Sequence, residues 1–201
     1  MSKKIYTKTG DQGRTGLING ERLAKDSLVF EVLGTLDEFN ASLGLIVAHF
    51  EDDLIEELEE IEEQVENTQD QMGQSEAQAQ KNFLLDLQRQ LFKLGAEVAK
   101  SPLVKFENEF LEHMEGNIDH LQAILGKKFW SNFVLPGGSE LAAQVDLSRT
   151  ICRRLERRLV SLDNERDLRD MLIKFINRTS DYLYMLRSWV NQKLKTKEVP
   201  V

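Results

Sequence analysis

Apolar residues recur along most of the chain in alternating steps of four and three, and this spacing restricts the fold more than any other feature. Such steps place apolar side chains along one side of an α-helix. An average step of about 3.5 residues favours antiparallel helices that cross at about 20°. The sequence therefore predicts an all-α protein, a five-helix antiparallel bundle. The five long runs lie within residues 30–50, 84–98, 111–125, 141–162 and 172–190, and a short acidic run lies within 54–65.

The composition excludes several other classes of protein. The 201 residues are enough for one domain with a sizeable core, and no apolar run approaches the roughly 20 residues that a membrane-spanning helix needs. The single cysteine, Cys152, excludes an internal disulfide framework and a cysteine-rich metal site. It falls on the 141–162 seam, where we expect an inert, buried thiol. A reducing, cytoplasmic location fits this composition best.

Charge is distributed unevenly along the chain. Residues 51–80 carry twelve acidic and no basic side chains, whereas residues 136–201 carry thirteen basic and nine acidic ones. The net charge of −8 argues against non-specific binding of nucleic acid, but the local basic excess suits an anion such as a phosphate. Within the acidic block, residues 67–80 have no apolar period and predict a mobile loop.

The first 27 residues do not fit the helical pattern and are rich in glycine. Four of the twelve glycines lie between positions 10 and 20, among threonines, lysines and arginines. Glycines let backbone N–H groups approach anionic oxygens, and hydroxyl and ammonium groups add further donors. This composition suits a triphosphate, although the Walker A pattern is absent. A flexible glycine-rich arm that binds nothing has much the same composition, so both interpretations stay open.

A second candidate site lies on the helix predicted after Pro136, Gly137 and Gly138. Several of its charged residues lie beside the apolar seam, where an arginine fork can bind phosphate or carboxylate through two hydrogen bonds. An ordinary solvated helix face is the alternative. The residues beside the seam are Arg149, Arg153, Glu156 and Arg157, while Arg154 and Arg158 are expected to face solvent.

Polar residues also flank the seams of the first and last helices. Asn177 and Asp181 lie four residues apart beside the last seam, and Asp37 lies beside the first. Asp37 is positioned to meet one of the arginines of the basic region across the bundle, either in a functional pair or in a structural salt bridge. No Ser/His/Asp or Cys/His arrangement is visible. Catalysis would therefore depend on binding, orientation and charge, with the reactive group supplied by a cofactor.

Five segments together resemble, in order, the ATP:cob(I)alamin adenosyltransferases of the PduO type. They are IYTKTGDQGRTGL with GERLAKD, GTLDEFNASLG, LFKLGAEVA, FVLPGGSE with SRTICRRLERR, and NRTSDYLYMLRSWVN. The resemblance covers essentially the whole chain except for about residues 50–80. It predicts one domain of residues 1–201, with a nucleotide-binding arm of residues 1–27 and an acidic insertion of residues 51–80. It implies a ferritin-like five-helix bundle that forms a homotrimer with active sites between subunits. It also implies transfer of the 5′-deoxyadenosyl group of ATP, with Mg²⁺, to the cobalt of a corrinoid, reduced cobalamin. A separate reductase would supply the electron that reduces the cobalt.

The resemblance implies roles for individual residues. Arg149 would pair with Asp37 across the corrinoid-facing interface, and Arg153 would act on the nucleotide. Phe133 would lie under the corrin and keep the lower axial ligand away from cobalt, which makes Co(II) easier to reduce. No side chain is expected to bind a metal ion. The nucleotide-binding residues implied are Thr7, Thr9, Gly10, Asp11, Gly13, Thr15, Gly16, Lys25, Arg153, Glu156 and Asn177.

The chain departs from the family pattern at three positions, and two other functions compete with the enzyme. Val29, Leu33 and Asp146 stand where the family usually has arginine, tyrosine and histidine. One alternative is a non-catalytic sensor or escort protein that binds ATP or a corrinoid on the same bundle. The other is a helical interaction module that acts through its acidic segment. Retention of Lys25, Arg153 and Asn177 favours the enzyme over the interaction module, which does not need a polyphosphate site.

Overall fold

A computed structural model describes residues 5–6, 8–50, 75–126 and 133–201 of the chain. Within these ranges the chain forms five α-helices and one small β-hairpin, so the predicted all-α, five-helix bundle is confirmed. The short acidic helix predicted within 54–65 lies outside the described residues. The hairpin was not predicted. The elements are β1 (Arg14–Gly16), β2 (Arg22–Ala24), α1 (Leu28–His49), α2 (Glu76–Val98), α3 (Glu109–Leu125), α4 (Glu140–Arg166) and α5 (Asp170–Lys193).

The first turns of α2 correct the loop prediction for residues 67–80, which is wrong for residues 76–80. Ser75 caps the helix by accepting a hydrogen bond from the backbone N–H of Gln78 at 3.1 Å. The small side chain of Ala77 and the amide of Gln80 are buried in place of larger apolar groups. Gln80 is satisfied there because Nε2 donates to Asn117 Oδ1 at 2.8 Å and Oε1 accepts from Tyr182 Oη at 2.9 Å. The first turns of α2 bury an alanine and a hydrogen-bonded amide, so this part of the helix shows no apolar period in the sequence.

The helices pack around the predicted apolar seams, and α1 with α4 and α4 with α5 run antiparallel. α3 and α5 instead run parallel, because Phe110 lies against Phe175 and Met114 against Thr179. The antiparallel prediction is wrong for this pair.

Seam residues such as Leu87, Leu155 and Leu183 have no exposed surface. Cys152 is also fully buried, as predicted, and its Sγ donates to the carbonyl of Ile176 at 3.4 Å. Burial raises the pKa of this thiol, so it stays protonated and unreactive at neutral pH.

Ion pairs connect α1 and α4 at their exposed edges. Arg154 pairs with Glu38, and Arg158 Nη2 lies 3.4 Å from Glu31 Oε1. Both arginines are exposed to solvent, as predicted, and each also pairs with a glutamate of α1. Within one chain, the acidic partners of the α4 arginines on α1 are therefore these glutamates and not Asp37, which is exposed.

Glu97, near the end of α2, holds the loop that follows this helix. Its carboxylate accepts hydrogen bonds from the guanidinium of Arg169 and, at 2.9 Å, from the backbone N–H of Phe106. Burial alone would raise the pKa of Glu97. These hydrogen bonds and the positive charges of Arg169 and Lys105 outweigh burial and hold the pKa below its ordinary value.

We expect Glu97→Gln to lower the free energy of unfolding at pH 7 by about 1–3 kcal/mol, because a neutral amide binds the guanidinium less strongly. A carboxyl group with a depressed pKa stabilises the fold above its unfolded pKa of about 4.3, and this contribution disappears as the pH falls toward the folded value. Urea unfolding should therefore give a constant difference between wild type and variant above about pH 5.5 and a shrinking one below. An equal difference at pH 7 and at pH 3.5 would contradict this assignment.

None of the described helices is both long enough and apolar enough to cross a membrane.

Candidate functional site

The glycine-rich arm folds into a turn and a hairpin that bring its two ends together. β1 and β2 pair antiparallel, with Arg14 opposite Ala24. Immediately after β2, the backbone N–H of Lys25 donates to Gly13 O at 2.8 Å. Gly13 has a φ of 74°, a conformation that favours glycine. The hairpin therefore closes the loop of residues 8–13 against Lys25.

Lys25 lies directly over Gly10, as a site that binds one anion with both residues requires. A Cβ atom added to Gly10 would lie 3.3 Å from Cε and 3.3 Å from Nζ of Lys25. The loop is held from the other side by Arg22, whose Nη2 donates to Thr9 O at 2.8 Å. The remaining predicted arm residues, Asp11, Thr15 and Gly16, lie on this loop or on β1. Thr7 lies outside the described residues.

A cavity of about 580 Å³ lies between α3, α4 and α5 and contains two of the predicted arginines. Arg149 and Arg153 reach it from α4, and Arg178 reaches it from α5. The other lining residues are Glu115, Ile118, Asp119, Gln122, Ser180, Asp181, Tyr184 and Met185. Three arginines and three carboxylates line the cavity, so its suitability for an anionic ligand depends on a guanidinium that no carboxylate already binds.

The three arginines of the cavity differ in how many carboxylates their guanidinium groups bind. Arg178 donates to Glu115 Oε1 and to Asp181 Oδ2, both at 2.9 Å, and these bonds raise its pKa. Arg149 Nε donates to Asp146 Oδ1 at 3.1 Å. No hydrogen bond or ion pair within the described ranges engages the guanidinium of Arg153, which is exposed. Arg153 is therefore the cation of this cavity most available to an incoming phosphate.

Glu156 and Asn177 join α4 to α5 beside Arg153. Asn177 Nδ2 donates to Glu156 Oε1 at 2.8 Å. The structure thus brings together two predicted nucleotide-site residues on the α4–α5 surface, one turn from Arg153. Arg157, which was grouped with them, bends back and donates to the backbone carbonyl of Arg153 at 3.0 Å.

Phe133 begins the segment of residues 133–138 that leads into α4. Its side chain is 88% exposed, whereas its backbone carbonyl accepts a hydrogen bond from Val201 N at 2.9 Å. An exposed phenylalanine on an anchored backbone is available to an apolar ligand surface. The predicted pair of Arg149 with Asp37 is not formed within one chain, and as a contact between two subunits it stays a prediction.

Sequence reasoning missed part of the site. Arg178 and Glu115 were not selected, although Arg178 follows a selected residue, Asn177, directly. A further charged residue, Arg187, is fully buried inside the apolar stretch LYMLRSWV of α5. A charge within such a stretch was the available signal, because an arginine on a helix seam must find partners in the interior.

The arm and the cavity are separate features of one chain. All lining residues of the cavity belong to α3, α4 or α5, and none belongs to the arm. Within the described ranges, no group of three or more histidine, cysteine, aspartate or glutamate residues is arranged to bind a metal ion. Two surfaces suited to anions are thus present, at different places on the chain.

Known proteins are similar to most of this chain. The family model described as cobalamin adenosyltransferase matches residues 5–190. The corrinoid adenosyltransferase of Bacillus subtilis (strain 168) is 34% identical over 193 residues, which are 94% of this chain and 88% of that protein. The cobalamin adenosyltransferase of Cupriavidus metallidurans is 34% identical over 196 residues, covering 94% and 89%.

A solved structure is similar over almost the whole fold. It is a variant of the PduO-type ATP:corrinoid adenosyltransferase from Lactobacillus reuteri complexed with cobalamin and ATP. The two folds superpose with a TM-score of 0.79 at 27% sequence identity, over 98% of this chain and 99% of that one.

Proposed function

Because this chain belongs to the cobalamin adenosyltransferase family, we propose that its arm and its α4–α5 surface are two halves of one ATP site, contributed by different subunits. The chain is an ATP:corrinoid adenosyltransferase. It transfers the 5′-deoxyadenosyl group of ATP to the cobalt of reduced cobalamin and releases triphosphate. Lys25 and the loop of residues 8–13 form the first half, and Arg153 with Glu156 and Asn177 forms the second.

The chemistry needs no protein nucleophile. Co(I) of the reduced corrinoid carries the electron pair that attacks C5′, the Co–C bond forms as the C5′–O bond breaks, and triphosphate leaves. The protein holds C5′ within about 3–3.5 Å of the cobalt and stabilises the charge of the leaving group. Lys25 and Arg153 are the cations proposed to stabilise the charge of the leaving triphosphate. Phe133 is the aromatic side chain proposed to lie under the corrin.

The separation of arm and cavity is the observation that carries this proposal. A triphosphate needs several fixed donors at once, and neither the arm nor the cavity provides all of the predicted ones in a single chain. A symmetric assembly in which the arm of one subunit meets the α4–α5 surface of the next completes the site. We propose that this assembly is a homotrimer, with Asp37 of one subunit against Arg149 of another.

The same proposal includes a Mg²⁺ ion, a reductase that supplies the electron and a cytoplasmic location for the protein. Mg²⁺ keeps most of its waters and binds phosphate oxygens with few protein ligands, so we propose that it enters bound to ATP. A separate reductase delivers the electron that converts Co(II) to Co(I). A cytoplasmic location fits the single, buried thiol.

The direct test is to incubate the protein with ATP, Mg²⁺ and chemically reduced cobalamin and to follow the absorbance change as the Co–C bond forms. Stoichiometric triphosphate should appear with the product. Bound ATP without conversion would favour a sensor or escort protein. Light scattering should give the mass of three chains, and a monomer that is fully active would contradict the interfacial site.

We expect Gly10→Val to raise the KM for ATP about tenfold, because the added side chain displaces the ammonium group of Lys25. The thermal midpoint should change little, since Gly10 lies on an exposed loop. Steady-state kinetics with varied ATP measures the effect. Gly116→Ala is the control, because a Cβ atom at Gly116 meets open space, and it should leave the KM unchanged. An unaltered KM in Gly10→Val would contradict the placement of Lys25 on the nucleotide.

A further inference from the structure

Four charged side chains form a cluster between α4, α5 and the segment of residues 196–201. Arg187, at its centre, is 1% exposed. Its Nε lies 3.2 Å from Asp146 Oδ2, and its Nη1 lies 2.8 Å from Glu198 Oε1. The opposite oxygen of Asp146 accepts the hydrogen bond from Arg149 described above. The cluster pairs two cations with two carboxylates, as a buried guanidinium requires.

The cluster lies where two stretches of extended backbone meet. Leu135 N donates to Val199 O at 2.8 Å, and Val201 N donates to Phe133 O at 2.9 Å, on either side of an antiparallel bridge between residues 134 and 200. Residues 199–201 are thereby held against residues 133–135. The backbone of Phe133 is fixed by this pairing, while its ring is 88% exposed.

Charged and amide groups anchor both stretches to α5 at one end. Arg187 Nη2 donates to Gly137 O at 3.2 Å while its Nη1 contacts Glu198. Asn191 Nδ2 makes the same two connections, to Gly137 O at 3.0 Å and to Glu198 Oε1 at 3.1 Å. Two hydrogen bonds between exposed extended segments are marginal in water by themselves. The pairing of residues 133–135 with 199–201 therefore depends on the anchored carboxylate of Glu198.

We infer that Glu198 is a positioning residue for Phe133. By binding the buried Arg187, Glu198 holds residues 199–201 in place, and these residues fix the backbone from which the phenyl ring projects. Asp146 binds Arg187 and also accepts a hydrogen bond from Arg149. This aspartate, which stands where the family usually has a histidine, therefore links the buried charge cluster to the cavity that Arg149 lines. The inference rests on the role proposed for Phe133 in keeping the lower ligand away from cobalt.

The test compares Glu198→Gln with wild type on two forms of the substrate. With cob(II)alamin and a chemical reductant, we expect turnover to fall about tenfold, because the ring no longer holds its place under the corrin. With cobalamin already reduced to Co(I), turnover should stay within about twofold. Electron paramagnetic resonance of bound cob(II)alamin should show the nitrogen coupling of a retained lower ligand in the variant. Glu198→Asp should restore part of the loss.

Two controls separate positioning from stability. Lys197→Gln changes a charge at the adjacent, exposed residue, and Glu97→Gln weakens a partly buried ion pair elsewhere. Both should leave the ratio of cob(II)alamin to cob(I)alamin turnover as in wild type. Val201→Pro removes the N–H that binds Phe133 O without altering a buried charge, and it should reproduce the selective loss if Glu198→Gln does not fold.

The outcomes distinguish this inference from the proposed function. Equal losses on both forms of cobalamin in Glu198→Gln and Val201→Pro would overturn the inference. If Phe133→Ala is selective for cob(II)alamin while these two variants match wild type, only the inference fails. If Phe133→Ala also lacks selectivity, the proposed role of the ring fails with it.

Discussion

Replacing Arg153 by alanine should reduce the rate of adenosyl transfer about a hundredfold to a thousandfold while leaving the fold intact. Arg153 lines the cavity and is exposed, and its guanidinium is not engaged by any other described side chain. A cation aimed at a leaving group stabilises charge that develops in the transition state, so its loss lowers kcat as well as ATP binding. Single-turnover kinetics with reduced cobalamin measures the effect.

Arg158→Ala is the matched control for this variant. Arg158 lies on the same helix and pairs with Glu31 at 3.4 Å, a half-exposed contact that contributes little. We expect both variants to keep a thermal midpoint within a few degrees of wild type, because each changes a surface side chain. If Arg153→Ala lost stability in proportion to activity, the arginine would be structural and the nucleotide site would have to lie elsewhere.

Replacing Phe133 by alanine should reduce turnover from cob(II)alamin about a hundredfold and turnover from pre-reduced cob(I)alamin by no more than about threefold. The side chain is 88% exposed, so its removal leaves no cavity in the protein. An apolar ring under the corrin excludes the lower ligand, and a Co(II) ion without that ligand accepts an electron more readily. The selective loss therefore reports on reduction and not on the transfer step.

Phe92→Ala controls for the loss of an exposed phenyl group. Phe92 is 72% exposed and lies on α2, which carries none of the residues assigned to the site. It should not change either rate. Equal losses on the two forms of cobalamin in Phe133→Ala would place the ring away from the lower face of the corrin.

The helices could be predicted from sequence because burial of one apolar stripe is a local, periodic property. Leu87 and Leu155 are members of such stripes, and both are fully buried. The beginning of α2 could not be predicted, because Gln80 is buried only through partners on α3 and α5. The hairpin could not be predicted either, because strands of three residues are too short to show an alternating apolar pattern.

The candidate site was predictable in its residue types and less so in its contacts. Gly10 and Lys25 could be grouped by composition, and the structure places one over the other. Asp146 lies three residues before Arg149 on the same helix, so the spacing could have indicated this pair. It could not show that Arg187 of α5 also holds the carboxylate of Asp146, because that contact depends on how the helices pack.

Complementation between two inactive variants tests the central claim most directly. Lys25→Glu disables the arm and Arg153→Ala disables the α4–α5 surface, so each homo-oligomer should lack activity. If each site combines the arm of one subunit with the helices of another, co-expression in equal amounts leaves both halves intact in about a quarter of the sites. The purified mixed oligomer should then show about a quarter of wild-type activity. Mixed oligomers no more active than either parent would contradict a site shared between subunits.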